Sequence, residues 1–184
     1  MRIRTLAAVF AVLAAAACER PAEPADAPAA PSASAYTYAA ASDVSGYYVS
    51  SSEIRIGKWV LDYLFIGQDT EFGEWTGANT AATLAPVMVE FSDATSPMVE
   101  VEVGPTRSIK ALVLPTRYAV SDDRIEFEGT SPEMGPVRFE GRIDQGALAT
   151  SRRNLGDDGV VVTGTLTAAG QTVRDVKLRW WLGD

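Results

Sequence analysis

Carboxylates are the most plentiful groups in this chain that are able to do acid–base chemistry. The 184 residues include 24 Asp and Glu, no histidine and one cysteine. The missing histidines exclude Ser-His-Asp and Cys-His nucleophile systems and remove the commonest protein ligand of zinc and copper. A single cysteine excludes a disulfide framework and a thiolate metal site. Catalysis by this chain would therefore depend on its carboxylates, with Lys58, Lys110 and Lys177 as the available amines.

Asp62 is the candidate general acid. It lies in the run 59–66, which is otherwise apolar or aromatic, and in a regular strand it would share one side with Val60, Leu64 and Ile66. Apolar surroundings raise the pKa of a carboxyl group, and this makes it a general acid. Glycan hydrolysis by such a group would require a second carboxylate nearby. The structural alternative is that Asp62 reaches a sheet edge or pairs with an arginine.

Residues 67–85 form the longest stretch without a strand pattern. Loops of this length are uncommon in compact domains, and many of them bind ligands or partners. Phe72 and Trp75 would give this loop apolar contact area; the alternative is that both rings cover one end of the core. The acidic residues of the loop do not have the spacing of a calcium-binding loop. We therefore predict no metal and no cofactor. If a metal ion were bound, the candidate ligands would be Asp69, Glu71 and Glu74.

Cys18 is placed for covalent lipidation. Arg2 and Arg4, followed by an apolar run over residues 6–17, are the charged and hydrophobic parts of an export signal. The run is too short to span a bilayer as a helix. The alanines at 15–17, directly before Cys18, resemble the lipobox of bacterial lipoproteins, where a lipid-specific signal peptidase cuts and the cysteine is acylated.

The resemblance implies a signal peptide over residues 1–17 and a mature chain that begins at an acylated Cys18. Position 15 departs from the usual pattern, since it is alanine where leucine is most common. Glu19, in place of an aspartate after the cysteine, implies sorting to the outer membrane, with the domain facing the periplasm. Acyl chains contribute about 0.8 kcal/mol per buried CH₂, so several of them make a stable anchor. The alternative is ordinary cleavage after Ala17, which would leave Cys18 as a free thiol.

The rest of the segment 18–35 predicts a tether between the membrane and the domain. Such a segment buries too little apolar surface to order itself, and its prolines favour extended conformations. These prolines are Pro21, Pro24, Pro28 and Pro31. The chain has a net charge of −8, and loss of Arg2 and Arg4 with the signal makes it more negative. Nucleic acid is therefore disfavoured as a partner.

Alternation of apolar and polar residues predicts that residues 36–184 form a single all-β domain. Clear examples are 99–103, 125–128, 137–143 and 176–180. We expect an antiparallel meander of about 8–11 short strands, forming a curved barrel, lipocalin-like in outline, or a two-sheet sandwich. The expected strands lie near residues 46–50, 53–57, 59–66, 86–92, 98–104, 108–120, 124–129, 136–144, 147–152, 159–167 and 172–182.

Three of the expected strands share an apolar-x-apolar-x-Gly pattern that ends at Gly129, Gly141 and Gly164. Glycine inside a strand marks bending or close backbone approach, as a curled sheet needs.

Alternation along the last expected strand turns Trp180 inward and Trp181 outward. An outward tryptophan is typical of a partner site, so Trp181 is a third candidate binding residue. The alternative is packing under a neighbouring loop.

The sequence favours a lipid-anchored envelope lipoprotein with a non-catalytic β-domain. Its expected partners are the membrane, through the anchor, and either an apolar small molecule or an envelope protein. A carboxylate-dependent hydrolase acting on envelope glycans is the first alternative, with Asp62 as its acid. A purely structural envelope protein is the second.

Overall fold

A computed structural model describes residues 35–75, 85–102 and 104–183, apart from the side chain of Glu74. The predicted signal peptide, Cys18 and nearly all of the tether lie outside these residues, as do positions 76–84 of the predicted loop. In the described ranges the strands are β1 (Tyr36–Tyr38), β2 (Gly46–Ser50), β3 (Arg55–Ile56), β4 (Trp59–Ile66), β5 (Val87–Asp93), β6 (Met98–Val101), β7 (Gly104–Arg107), β8 (Lys110–Val113), β9 (Pro115–Val120), β10 (Arg124–Ser131), β11 (Gly135–Ile143), β12 (Val160–Ala168) and β13 (Gln171–Trp181). The helices are α1 (Asp69–Glu74) and α2 (Gln145–Arg153).

One large curled sheet dominates the fold. Its strand order is β1-β9-β10-β11-β12-β13-β2-β4-β5-β8, and β3 pairs with β4 beside this path. Neighbouring strands are antiparallel except for β1, which pairs in parallel with β9 through Tyr36 and Tyr118. Strands β6 and β7 form a separate two-stranded sheet. The predicted all-β antiparallel meander is confirmed, and the sheet takes the form of a half-barrel.

A single chain segment pairs at both ends of the curled sheet, because it supplies β8 at one end of the strand order and β9 beside β1 at the other. The predicted strand 108–120 divides at Leu114 into β8 and β9. Strand β8 pairs with β5, where Ala111 lies opposite Phe91. Strand β9 pairs with β10, where Tyr118 lies opposite Phe127. The segment therefore pairs on one side through its first half and on the other side through its second half.

The side chains on the inward side of the sheet fill its interior. Burial of a large apolar side chain contributes about 1.5–3 kcal/mol, so these residues supply most of the driving force for folding. The largest fully buried side chains on this side are Tyr48, Phe91, Phe127, Phe139, Ile56, Leu64, Ile66, Ile125, Leu166 and Leu178, and Leu148 of α2 joins the same core.

The strand glycines allow this packing. Gly141 and Gly164 lie directly opposite each other in β11 and β12. A Cβ atom on Gly141 would lie 2.7 Å from the ring of Phe139, and one on Gly164 would lie 2.9 Å from the same ring. A Cβ on Gly129 would lie 2.5 Å from the carbonyl oxygen of Leu114, the residue between β8 and β9. Each glycine marks a close approach, as its place inside a strand predicts.

One of the expected strands is wrong. Residues 147–152 lie in helix α2, which Asp144 caps by accepting a hydrogen bond from the Ala147 N–H at 2.9 Å. The expected strand 98–104 is confirmed over Met98–Val101 as β6, but the chain then turns and returns as β7, which begins at Gly104 with a φ of 113°. The parallel strand β1 has no counterpart in the sequence-based set. No helix in the described part of the chain is long and apolar enough to cross a bilayer.

Candidate functional site

The outward side of the curled sheet carries a row of large apolar side chains that crosses four adjacent strands. Trp181 of β13 lies opposite Tyr47 of β2, and Tyr47 lies opposite Phe65 of β4. Phe65 in turn lies opposite Met88 of β5. The ring centroids of Tyr47 are 5.0 Å from Phe65 and 5.7 Å from Trp181. We call Trp181, Tyr47, Phe65 and Met88 the apolar row.

Strand alternation turns the apolar row away from the core. Trp180 and Tyr48, the neighbours of Trp181 and Tyr47 along the chain, are buried on the inward side. The three rings of the row remain partly exposed, whereas Met88 is only 1% exposed and ends the row. Aromatic pairs at these spacings contribute about 0.5–1.5 kcal/mol beyond the area they bury. The row therefore has a fixed geometry on an accessible part of the sheet.

A charged cluster lies beside the apolar row on the same side of the sheet. Tyr63 lies opposite Glu90 on β4 and β5, and Glu90 lies opposite Leu112 on β8. The ring of Tyr63 meets that of Tyr47 edge-on at a centroid distance of 5.0 Å, so the two groups are in contact. The charged cluster consists of Asp62, Tyr63, Glu90, Ser92 and Lys110.

Asp62 reaches this cluster because of a β-bulge. Leu61 and Tyr63 pair with the consecutive residues Phe91 and Glu90, which leaves Asp62 as an extra residue in β4. The bulge shifts the alternation, so that Leu61 and the later inward residues are buried while Asp62 is half-buried on the outward side. The expectation that Asp62 shares its side with Leu64 and Ile66 is therefore wrong.

The carboxylate of Asp62 is only partly satisfied by its neighbours. Ser92 Oγ donates a hydrogen bond to Oδ1 at 2.8 Å, and Lys110 Nζ lies 3.9 Å from Oδ2. Oδ2 is buried and has no hydrogen-bond partner. Burial raises the pKa of Asp62, with a small contribution from the charge of Glu90, although Ser92 and Lys110 act against the shift. The cation beside Asp62 is thus a lysine, whereas the structural alternative from the sequence was a sheet edge or an arginine.

Glu90 is the second carboxylate that sequence reasoning did not locate. Its Oε1 lies 2.7 Å from Lys110 Nζ, and its Oε2 accepts a hydrogen bond from the Tyr63 hydroxyl at 3.1 Å. Burial and the charge of Glu90 raise the pKa of Tyr63. Asp62 and Glu90 therefore share one ammonium group. The sequence shows Glu90 as a lone glutamate in the otherwise apolar run 87–91. Its position beside Asp62 depends on the pairing register of β4 and β5, which a single sequence does not reveal.

Phe72 and Trp75 lie elsewhere, against β1 and β9 at one end of the strand order. Helix α1 carries Phe72, which is 9% exposed and stacks on Tyr38 at a centroid distance of 4.0 Å. Phe72 also meets Tyr118 edge-on at 5.5 Å, and Trp75 meets Tyr36 at 6.4 Å. This is the arrangement expected if both rings cover the core. Neither ring belongs to the apolar row.

The acidic residues near Phe72 have local partners. Glu71 accepts a hydrogen bond from the Gln68 N–H at 2.8 Å and so caps α1. Asp69 accepts one from the Thr70 N–H at 2.7 Å. Within the described ranges no group of three or more acidic or cysteine side chains is arranged to hold a metal ion. A cleft of 310 Å³ next to the helix has mainly polar walls, which include Tyr38, Asp43, Gln68 and Asp69.

Comparison of this chain with known protein families, with curated proteins and with solved structures finds no match. Fold and site together define only a class, an all-β protein with a filled, curled sheet and an outward apolar row beside a charged cluster.

Proposed function

We propose that this chain is a lipid-anchored lipoprotein of the bacterial cell envelope whose β-domain binds a protein partner through the apolar row. The observation that carries the proposal is the row itself, in which Tyr47, Phe65 and Trp181 stand side by side on an outward surface. Tryptophan and tyrosine are enriched among residues that dominate binding energy at protein interfaces. These three rings face away from the core and remain partly exposed, so packing of the core does not explain why they lie next to each other.

The filled interior favours a protein partner over an apolar small molecule. Sites for small molecules are concave and mostly apolar. Here Phe127, Phe139 and Leu166 occupy the inward side of the sheet, and each is fully buried. An outward row with a polar margin has the anatomy of a protein interface, since the apolar centre is desolvated and the charged margin stays hydrated.

The charged cluster indicates the chemistry of the partner. The cluster holds two carboxylates, Asp62 and Glu90, and the single ammonium group of Lys110. The margin that this cluster forms beside the apolar row is therefore negative, and the net charge of the whole chain is negative as well. We expect the partner to present an apolar pocket for Trp181 with basic residues beside it.

Photo-crosslinking tests the partner-binding proposal. A photoreactive residue in place of Phe65 should give one discrete crosslinked species in the envelope, and the same residue in place of Leu155 should not, because Leu155 is exposed outside the row. For the isolated partner, Trp181→Ala and Tyr47→Ala should each weaken binding by about thirtyfold, the size of a typical hot-spot effect. Equal binding by the parent chain and both variants would refute the role of the row.

The anchor is a separate part of the proposal and has a separate test. Metabolic labelling with a radioactive fatty acid should label the full chain in a bacterial host, and Cys18→Ser should abolish the label. Retention of the label in Cys18→Ser would rule out lipidation at the cysteine. An unlabelled parent chain that begins at Cys18 would instead support ordinary signal cleavage.

The raised pKa of Asp62, together with a second carboxylate on the same lysine, favours a carboxylate hydrolase as the second candidate function. Incubation of the full chain with envelope glycans tests it. The hydrolase proposal requires product release that both Asp62→Asn and Glu90→Gln abolish. If the parent chain releases no product, this candidate fails while the partner-binding proposal is untouched.

A further inference from the structure

Strand β6 exposes apolar side chains on both of its faces. Met98, Val99 and Val101 are 53%, 39% and 44% exposed, although each belongs to a residue type that is usually buried. Successive residues of a strand point to opposite faces, so neither face of β6 packs on the core. An isolated two-stranded hairpin is marginally stable in water. The hairpin therefore has apolar surface that a further strand would cover.

The two edges of the hairpin differ. Strand β6 pairs only with β7, so in the described part of the chain its second edge has no ladder partner. The edge of β7 carries Pro105, which has no N–H to donate to a further strand. Proline is a common device for blunting an edge against unwanted pairing. Of the two hairpin edges, within the described residues, the β6 edge is thus the one open to strand addition.

The charge on this edge is negative. Glu100 of β6 and Glu102 of the turn are both exposed, and neither forms an ion pair within the described ranges. The two basic residues closest to β6 in the chain have partners other than Glu100 and Glu102. Arg107 of β7 donates to the carbonyl oxygen of Ser96 at 2.8 Å, and Lys110 contacts Glu90 at 2.7 Å. The two carboxylates therefore outnumber the single arginine of the hairpin.

We propose that β6 binds an extended segment of a partner protein in which apolar residues alternate with lysine or arginine. The segment adds a strand to the open edge through main-chain hydrogen bonds. Its apolar side chains lie opposite Val99 and Val101, and a cation lies opposite Glu100. A second copy of this chain is a poorer occupant, because antiparallel pairing centred on Glu100 sets two carboxylates opposite each other. This site is independent of the apolar row.

A peptide of alternating lysine and valine, titrated into the full chain, tests the proposal. Binding is measured by fluorescence anisotropy and mapped by backbone amide NMR, with a peptide of alternating glutamate and valine as the control. We expect the lysine peptide to bind at least about tenfold more tightly than the glutamate peptide. The shifted amides should be those of Met98–Val101. In the double variant Glu100→Lys and Glu102→Lys the preference should reverse.

Several results would overturn the proposal. These are equal affinity for the two peptides, absence of binding, amide shifts confined to other strands, and undiminished binding of a lysine peptide whose edge-facing amides are N-methylated. Trp181→Ala should leave peptide binding unchanged, since Trp181 lies on the curled sheet. Failure of the β6 site and failure of the apolar row are therefore seen in different measurements.

Discussion

Substitution of Gly164 by alanine should destabilise the protein by forcing two central strands apart. The new Cβ would lie 2.4 Å from the carbonyl oxygen of Glu140 and 3.0 Å from the Cα of Gly141. Both atoms belong to the backbone of β11, so neither moves by a side-chain rotation. The ring of Phe139, at 2.9 Å, closes the remaining direction. Relief of the overlap requires β11 and β12 to separate, because a new rotamer of Phe139 would remove only the contact with its ring.

The expected cost follows from two opposing effects. Overpacking of a dense core costs about 1–3 kcal/mol. Replacement of glycine by alanine returns about 0.4–1 kcal/mol, because the unfolded chain loses conformational freedom. Because the overlap is with backbone atoms, the cost lies in the upper part of that range, about 2–3 kcal/mol, and the net loss is about 1–2.6 kcal/mol. For a domain of this size each kcal/mol lowers Tm by about 2–4 °C, so Gly164→Ala should unfold about 2–10 °C below the parent chain.

Thermal unfolding of the full chain followed by circular dichroism measures this effect. Gly156→Ala is the matched control, because the nearest atom to its Cβ would be Asn154 Oδ1 at 3.9 Å. That variant should unfold at the temperature of the parent chain or slightly above it. If both variants unfold within about 1 °C of each other, the packing of Phe139 against the paired glycines does not limit stability, and the argument is refuted.

Three further predictions concern charged groups. The hydrogen bond that Lys58 donates to Asp93 lowers the pKa of this carboxyl group from its ordinary 3.8 to about 2. The ionised pair therefore stabilises the fold fully above pH 3.8, and this contribution is lost as the pH falls towards 2. Urea unfolding of Asp93→Asn should show a loss at pH 7 that shrinks as the pH falls towards 2. Asp62 has a raised pKa, so its ionisation reduces stability as the pH rises above 3.8; Asp62→Asn should remove this decline. Arg152 lies 4.9 Å over the ring of Trp180, and Arg152→Met should cost about 1–2 kcal/mol in denaturant unfolding.

The strands of the curled sheet are predictable from the sequence because one face of each packs on the core. The prediction fails where alternation of apolar and polar residues does not reflect a strand with one face on the core, or where it does not reveal a change of pairing partner. In residues 147–152 the only large buried side chain is Leu148, and the Asp144 cap decides for a helix. At Leu114 the alternation continues while the pairing partner changes, and a single sequence carries no record of that exchange.

The candidate site is predictable only in part. The outward direction of Trp181 follows from alternation within its own strand. Its neighbours Tyr47 and Phe65 follow from register between strands far apart in the chain, which periodicity does not determine. The environment of Asp62 depends on a bulge, so its side cannot be counted back from Leu64 or Ile66.

The pairing of β2 with β13 has a consequence for the order of events in folding. Trp180 donates to the carbonyl oxygen of Ser45 across a sequence separation of 135 residues. Contacts of such range form slowly, because loop-closure entropy is lost before the contacts repay it. Tyr47 and Trp181 become neighbours only when this pairing is complete. A partner that needs both rings would therefore not bind partly folded chains, so binding would itself report that this last pairing of the sheet has formed.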